Sequence, residues 1–283
     1  MTRMREISTK KITEAVKNLC IEANLNLSED VREALNKALK NETSKAAREI
    51  LRQIIHNTEL ARKEKLPLCQ DTGTAVVFIE IGQEVRLTDG TLAEAVNEGV
   101  SLGYHKGYLR KSIVSDPIKR ENTGDNTPAI IHTEIVPGEG IKIGLLCKGG
   151  GAENKSAVKM FKPTSTRQEI EAFILETVKN AGPDACPPFI IGVGIGGNFD
   201  TVALTAKKAL LRPVGKHNSE SDTAKWEKEL LEKINKLGIG PMGLGGKTTA
   251  LAVNIEKRPC HISSLPVAVN VECHAHRYKS TII

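Results

Sequence analysis

The sequence predicts a mixed α/β protein with a helical N-terminal region, and three observations support this fold class. Apolar residues recur at helical spacing between residues 8 and 66. Residues 75–81 are apolar at alternate positions and largely apolar in between, as in a strand buried on both faces. Further along the chain, helical patterns alternate with short apolar runs. We therefore expect one domain over residues 1–283, with a helical part at about 8–66 and an α/β part at about 67–283.

Composition and charge narrow the classes of function. The chain has 283 residues, of which 40% are hydrophobic and 26% charged, the profile of a globular protein that can bury a core. Only 3% are aromatic, so few side chains are available to stack on nucleic-acid bases. The formal charge is +6, but basic and acidic residues are interleaved. A small anionic substrate is therefore favoured over nucleic acid.

The sequence also predicts a cytoplasmic location without membrane contact. No stretch approaches the roughly 20 apolar residues needed to span a bilayer, and no apolar segment follows the basic N-terminal residues. Cysteines in that compartment stay reduced, so metal ligation and simple burial compete as explanations for them. The chain contains Cys20, Cys69, Cys147, Cys186, Cys260 and Cys273.

Three apolar stripes predict three helices in the N-terminal region. Cys20 lies on the first stripe, and we interpret it as a packing residue. The stripes consist of Ile12, Ala15, Val16, Leu19 and Cys20, of Val31, Leu35, Ala38 and Leu39, and of Ile50, Leu51, Ile54 and Ile55.

The motif C-Q-D-T-G at Cys69 lies where this helical region gives way to the strand at 75–81. A helix follows at 91–106 and leads to Arg110, whose guanidinium is suited to hold a carboxylate, although spacing alone favours a solvated arginine. Two strand-like runs, 129–136 and 141–146, are joined by a Pro-Gly-Glu-Gly segment that predicts a hairpin.

Three glycine-rich segments invite a ligand-binding interpretation. The amides of Gly149–Gly151 are able to face an anion, and a flexible loop is the alternative. The run G-V-G-I-G-G from Gly192 fits a dinucleotide fingerprint, but no acidic residue ends a second strand about 20 positions later. We therefore predict a close-packed turn between a strand at 189–197 and a helix at about 200–211. The run at 240–248 resembles a phosphate-binding loop but has Pro241 at its first glycine position, which disfavours ATP binding.

The remaining segments complete the α/β pattern and leave a metal site open. Helices are predicted at 169–180 and 225–237, and strands at 249–255 and 267–271. Cys260-His261 and Cys273-His274-Ala275-His276 raise the possibility of zinc. No C-x-x-C or H-x-x-x-H pair is present, so only a widely spaced zinc site remains possible.

Cys69, Cys186 and Cys273 share a context, because each lies in a loop that borders a predicted strand. Three thiolates from remote loops suit a 4Fe-4S cluster with one iron that the protein does not ligate, and such an iron is a Lewis acid. Cys147 and Cys260 are left open as packing residues or neighbours of the site.

The ordered set of motifs resembles the class I, iron-sulfur fumarate hydratases and the related L-tartrate dehydratases. The chain looks like the alpha subunit of the two-subunit form, and the resemblance runs from about residue 10 to the end. It rests on C-Q-D-T-G at Cys69, G-G-G-A-E-N-K at Gly149, A-C-P-P with G-V-G-I-G-G at Ala185, L-G-I-G-P-M-G-L-G-G-K-T-T at Leu237 and C-H-A-H-R at Cys273.

The resemblance implies a hydro-lyase that interconverts fumarate and L-malate. Its motifs imply that Cys69, Cys186 and Cys273 each hold one iron of a 4Fe-4S cluster. They also imply that a dicarboxylate substrate is contacted by Gln70, Asp71, Arg110, the Gly150 amide and His261, with Asp71 and His261 as catalytic residues. An arginine clamp, anion-binding amides and a histidine able to donate a proton agree in kind with that chemistry.

The resemblance further implies a partner chain. Longer family members carry a C-terminal domain with the catalytic base, so we expect a beta subunit to supply it here. Tartrate dehydration is the alternative activity, and an NAD-binding or zinc-stabilised module is the alternative class. The tartrate enzymes differ from this chain at two places. After G-G-G they have Cys-Thr, where this chain has Ala152-Glu153, and at the third cysteine they have C-W-A-H-R, where this chain has C-H-A-H-R.

Overall fold

The computed structural model describes residues 4–283 and confirms the mixed α/β fold class. The described residues form eight α-helices and ten strands. The helices are α1 (Thr9–Leu25), α2 (Glu29–Asn41), α3 (Lys45–Glu64), α4 (Leu92–Lys106), α5 (Gly150–Glu153), α6 (Arg167–Ala181), α7 (Phe199–Ala209) and α8 (Ser221–Asn235). The strands are β1 (Arg5–Ser8), β2 (Thr74–Gly82), β3 (Val85–Thr88), β4 (Ile130–Val136), β5 (Ile141–Lys148), β6 (Ala157–Phe161), β7 (Phe189–Gly197), β8 (Ala250–Cys260), β9 (Leu265–Glu272) and β10 (Tyr278–Ile282).

The chain divides into two compact units, and the predicted N-terminal helices are shared between them. Unit 1 comprises the described residues up to Ser28, together with Thr58–Gly150 and Arg277–Ile283. Unit 2 comprises Glu29–Asn57 and Gly151–His276. The three predicted helices are present as α1, α2 and α3, with their apolar stripes buried or half-buried.

Unit 1 is built on a four-stranded sheet in the order β10-β5-β2-β4. Helices α1 and α4 pack on it and on each other around an aliphatic core. A Cβ at Gly99 would lie 2.7 Å from the Thr13 carbonyl oxygen, so glycine is needed for the two helices to approach this closely. Cys20 lies fully buried in this core, which confirms its interpretation as a packing residue.

The predicted hairpin of the two strands at 129–136 and 141–146 is wrong. Strands β4 and β5 do not pair with each other, because β2 lies between them, parallel to β4 and antiparallel to β5. Strand β2 is buried along most of its length on both faces and therefore takes a central place in the sheet. The turn that follows β4 instead bonds to the end of β2, where the amide of Gly82 donates to the Gly140 carbonyl.

Unit 2 has three layers around a four-stranded sheet in the order β6-β9-β7-β8. Alternate residues of β7 face opposite sides: Ile191 and Val193 join the core beneath α6 and α8, while Gly192 and Gly194 face α7. A Cβ at Gly192 would lie 2.1 Å from the Ala206 carbonyl oxygen. The glycines of the apparent dinucleotide fingerprint thus pack a helix against a strand, as predicted.

Several short elements were not predicted. Strands β1 and β3 pair in parallel, β6 lies at one edge of the second sheet, and β10 at one edge of the first. Each has five residues or fewer, which is too short to show a clear period in the sequence. None of the helices in residues 4–283 has the length and hydropathy of a membrane-spanning segment.

Candidate functional site

The loop that carries C-Q-D-T-G precedes β2 in unit 1, as the sequence predicts. Gly73 has a φ of +78°, and a Cβ there would lie 2.8 Å from the Lys148 backbone, so this turn requires glycine. The half-buried Cys69 thiol donates to Oε1 of the exposed Gln70 at 3.2 Å. The loop therefore presents the thiol and the amide side by side.

The structure brings Asp71 and Gly150 together. Strand β5 runs antiparallel to β2, with Lys148 opposite Thr74, so the residues after β5 lie beside those before β2. The Gly150 amide donates to Oδ2 of Asp71 at 2.8 Å, and the Gly73 amide donates to Oδ1 at 3.0 Å. Both oxygens of the carboxylate are fixed by backbone donors. The predicted contact of Gly150 with substrate remains a prediction, because this amide here donates to Asp71.

Arg277 is a component of this site that sequence reasoning missed. Its side chain is 1% exposed. It donates from Nη1 to the Asp71 carbonyl and from Nε to the Cys147 carbonyl, the latter at 3.1 Å. It reaches both carbonyls because β10, which follows it, pairs with β5. A Cβ at Gly149 would lie 3.0 Å from Nη2 of Arg277. The signal was present in the sequence, since Arg277 ends the C-H-A-H-R motif, but a buried arginine is not expected from composition.

Arg110 is exposed and lies at the same end of the unit 1 sheet. The Thr72 hydroxyl donates to its carbonyl oxygen at 2.9 Å, which fixes the backbone of Arg110 against the C-Q-D-T-G loop. The buried hydroxyl of Tyr104 shares its one hydrogen between the carbonyls of Thr72 and Gly73, at 2.8 Å from each. Unit 1 thus gathers Cys69, Gln70, Asp71, Arg110 and Gly150 around one loop, with an exposed guanidinium available to a carboxylate.

Two of the predicted cysteine ligands come together in unit 2. The antiparallel pairing of β7 with β9 places Ile190 opposite Glu272, so the loop before β7 lies beside the loop after β9. Cys186 is in the first of these loops and Cys273 in the second. His274 donates to the Cys186 carbonyl from its backbone amide at 3.3 Å and from ring Nδ1 at 2.9 Å.

The glycine-rich loop at 240–248 lies against the Cys186 loop. The Met242 amide donates to the Pro187 carbonyl at 2.9 Å, and a Cβ at Gly243 would lie 2.3 Å from the Cβ of Pro183. Buried Glu42 anchors the other end of this loop by accepting from the Lys247 amide at 2.7 Å. Bonds from backbone amides, including those of Ser44 and Lys247, hold the pKa of Glu42 below its usual value against the opposing effect of burial.

The motif G-G-G-A-E-N-K enters unit 2 at Gly151 and lies near the same loops. Lys155 forms an ion pair of 2.9 Å with Asp184, two residues before Cys186. Glu153 accepts from Asn270 on β9 at 3.3 Å and also pairs with Lys207 on α7. Four of the five motifs therefore have residues at one end of the unit 2 sheet, joined by direct contacts.

His261 lies at the other end of that sheet. Strand β8 is parallel to β7, with Cys260 opposite Gly197, so His261 follows the far end of β7 from Cys186 and Cys273. At about 3.3 Å per residue, the length of β7 separates them by roughly 26 Å. His261 is exposed in a turn in which its Nδ1 lies 2.7 Å from the Ser263 hydroxyl. Within this chain, His261 therefore lies far from Cys186 and Cys273.

The other cysteines have different surroundings. Cys20 and Cys147 are fully buried in unit 1, where burial raises the pKa of the Cys20 thiol well above its usual value and the Asn24 amide donates to Cys147 Sγ at 3.2 Å. Cys260 is exposed beside His261. Only Cys69, Cys186 and Cys273 are half-buried in loops, which is the environment expected of thiolates that hold a group entering from solvent.

Cysteine thiols are the donors that an iron-sulfur cluster requires. Within residues 4–283, no group of three or more His, Cys, Asp or Glu side chains is arranged to hold one ion. A cluster differs because each cysteine binds a different iron, so its ligands do not converge on one point. None of the six cysteines is in a disulfide, which leaves all three half-buried thiols able to act as ligands.

The sequence that forms these units and loops matches a family of hydro-lyases. A model of the family described as fumarate hydratase (Fumerase) matches residues 13–282. The chain therefore belongs to this family, which comprises fumarate hydratase and tartrate dehydratase alpha chains.

Curated relatives cover almost the whole chain. The putative L(+)-tartrate dehydratase subunit alpha of Methanocaldococcus jannaschii is 44% identical over 273 residues, which are 94% of this chain and 95% of the relative. The L(+)-tartrate dehydratase subunit alpha of Escherichia coli strain K12 is 30% identical over 282 residues, which are 99% of this chain and 93% of the relative.

Proposed function

We propose that this chain is the alpha subunit of a 4Fe-4S-dependent hydro-lyase that interconverts fumarate and L-malate. The observation that carries the proposal is the gathering of motif residues in each unit. In unit 2, direct hydrogen bonds join the loops of Cys186 and Cys273. In unit 1, Asp71 is fixed beside Cys69 and the exposed Arg110. Family membership supports the hydro-lyase class of this chemistry.

Cys69, Cys186 and Cys273 would hold the cluster, each through one iron. When bound, the cluster supplies a Lewis-acidic iron that withdraws electron density from substrate oxygens. The half-buried state of the three thiols and their loop positions support this assignment. Reduced thiols are required, which is consistent with the cytoplasmic location that we propose.

The remaining residues of unit 1 would bind and orient the dicarboxylate. Arg110 would pair with one carboxylate, and Gln70 would donate an amide hydrogen to a substrate oxygen. Asp71 would accept a hydrogen bond from the substrate or hold a proton, with its orientation set by the amides of Gly73 and Gly150. His261, which the family motif also assigns to substrate contact, lies at the far end of the unit 2 sheet from Cys186 and Cys273, and its role as a proton donor stays a prediction.

We further propose that a beta subunit completes the enzyme and supplies the catalytic base. The names of the relatives support this, since each is described as a subunit alpha. Closure of a second chain over the bound substrate would exclude water and strengthen the electrostatic contacts made by Arg110.

Tartrate dehydration is the second candidate activity, and the names of the relatives favour it. The local sequence favours fumarate, because this chain has Ala152-Glu153 after its glycines and His274 after the third cysteine. In the structure, Glu153 pairs with Lys207 and His274 holds the Cys186 carbonyl. The two candidates thus differ at positions that shape the loops around the cysteines, and an additional substrate hydroxyl would need different polar partners there.

The test is a comparison of kcat/KM on the chain reconstituted with its beta subunit without air. We expect fumarate or L-malate to exceed L-tartrate by at least about tenfold, which corresponds to about 1.4 kcal/mol of differential transition-state binding. Equal or faster turnover of L-tartrate would transfer the assignment to tartrate dehydration. Absence of turnover with all three substrates, from a complex that contains its cluster, would refute both candidates.

A further inference from the structure

The backbone of Cys186 adopts a conformation that a cysteine rarely takes. Its φ and ψ are 55° and 66°, in the left-handed region, at the end of a short 3₁₀ turn formed by Gly182–Ala185. A residue with a Cβ is strained there, so the surrounding structure must hold it in place. The direction of the Cys186 thiol depends on that backbone conformation.

The Cys186 loop has few donors of its own. Its next two residues are Pro187 and Pro188, which have no backbone N–H. The Cys186 amide donates to the Pro183 carbonyl at 3.0 Å, and the carbonyls of the loop are held by donors from other segments. The Pro187 carbonyl accepts from Met242, and the Cys186 carbonyl accepts from His274.

His274 donates twice to the Cys186 carbonyl, from its backbone amide at 3.3 Å and from Nδ1 at 2.9 Å. Because a carbonyl oxygen only accepts, Nδ1 must carry a hydrogen. His274 also follows Cys273 directly in the chain. His274 therefore links the backbone of Cys186 to that of Cys273.

We propose that His274 is a positioning residue that fixes the spacing and orientation of the Cys186 and Cys273 thiols. The inference deepens the proposed function and rests on it, because fixed spacing matters where both thiols bind one cluster. A bound group is held most firmly when its ligands are locked by hydrogen bonds from neighbouring residues. His274 performs this through its ring hydrogen on Nδ1.

Three variants test the proposal. His274→Leu removes the ring donor and keeps an apolar side chain of moderate size. His274→Asn keeps an N–H donor at nearly the same distance from the backbone, because its amide nitrogen takes the place of Nδ1. His56→Leu makes the same substitution at an exposed histidine of α3 and serves as the matched control.

The first readout is the rate at which the anaerobic holoprotein loses iron to a chelator. We expect His274→Leu to raise this rate about fivefold to tenfold, the effect of one lost hydrogen bond of ordinary strength. His274→Asn and His56→Leu should stay within about threefold of the wild type. Equal rates for wild type and His274→Leu would overturn the proposal, and so would equal losses in His274→Asn and His274→Leu.

The second readout uses the cluster-free chain and does not depend on the proposed function. Labelling of thiols by iodoacetamide, followed by mass spectrometry, should be several-fold faster at Cys186 in His274→Leu and close to wild type in His274→Asn. Exposed Cys260 should label equally in all variants. If the wild-type protein binds no cluster but Cys186 still labels faster in His274→Leu than in wild type, the proposed function is refuted and the role of His274 is not. An unchanged Cys186 rate, or new labelling of buried Cys20 that indicates general unfolding, would overturn the role of His274.

Discussion

Replacement of Tyr104 by phenylalanine tests how the C-Q-D-T-G loop is held in unit 1. Tyr104 is fully buried, and its hydroxyl shares one hydrogen between the carbonyls of Thr72 and Gly73, at 2.8 Å from each. Phenylalanine fills the same space except for the hydroxyl, so almost no cavity forms. The cost therefore comes from the lost hydrogen bonds.

The size of the effect follows from what the two carbonyls retain. The Gly73 carbonyl still accepts from the Asn126 amide at 3.2 Å, so the Thr72 carbonyl carries most of the loss. A buried acceptor left unsatisfied costs about 1–3 kcal/mol. With one carbonyl partly compensated, we expect Tyr104→Phe to lower the free energy of unfolding by about 1–2 kcal/mol.

The pH dependence of this difference has a definite sign. Burial raises the pKa of Tyr104 well above its usual value, with smaller contributions from the neighbouring Cys147 and Cys20 thiols. A group that binds its proton more tightly in the folded state stabilises the fold below its unfolded pKa, and this stabilisation is lost as pH rises above it. The difference between wild type and Tyr104→Phe should be constant near neutral pH and should shrink above about pH 10.

Urea unfolding followed by circular dichroism measures the change, and Tyr108→Phe is the matched control. Tyr108 is 92% exposed, so its variant should stay within about 0.5 kcal/mol of the wild type. A Tyr104→Phe effect below about 0.5 kcal/mol would refute the role of the hydroxyl. A loss above about 4 kcal/mol would indicate repacking of the core instead.

Three further predictions concern the cluster, the partner and the glycine-rich loop. Serine in place of Cys69, Cys186 or Cys273 should abolish stable cluster incorporation, whereas Cys20→Ser should retain it, as measured by iron content. If a variant of Cys69, Cys186 or Cys273 keeps its iron, that cysteine is not a cluster ligand. The purified chain should show no turnover alone and gain it when the beta subunit is added, whereas full activity of the chain alone would exclude a required partner. Glu42→Gln should lower the free energy of unfolding by about 1–3 kcal/mol at neutral pH, since the carboxylate accepts bonds from three backbone amides. Because its pKa is lowered in the folded state, this difference should disappear as pH falls below about 4, and a pH-independent difference would contradict it.

The helices and central strands were predictable because their signals are local. In α1 and α2 one face of each helix is buried, which requires an apolar stripe in the sequence. In β2 both faces are largely buried, which requires a continuous apolar run. The false hairpin between β4 and β5 shows the limit of local reasoning, since a short turn between two strands does not exclude a third strand between them. Pairing partners are set by contacts between distant segments, which no window of sequence contains.

The candidate site was predictable as a set of motifs but not as a geometry. The motif order identified the residues around Asp71, yet the bond from the Gly150 amide depends on the pairing of β2 with β5. Arg277 was quoted within a motif but given no role, because burial of a guanidinium requires partners from other segments. His261 was assigned to the site by motif resemblance, and its place at the far end of β7 from Cys186 and Cys273 depends on strand pairings that the local sequence does not show.

The most direct test of the central claim is the iron and sulfide content of the chain purified without air. We expect about four iron and about four sulfide per chain, with the broad visible absorption of a 4Fe-4S cluster. Zinc at one ion per chain, or colourless protein that takes up no iron and sulfide under reducing conditions, would contradict it.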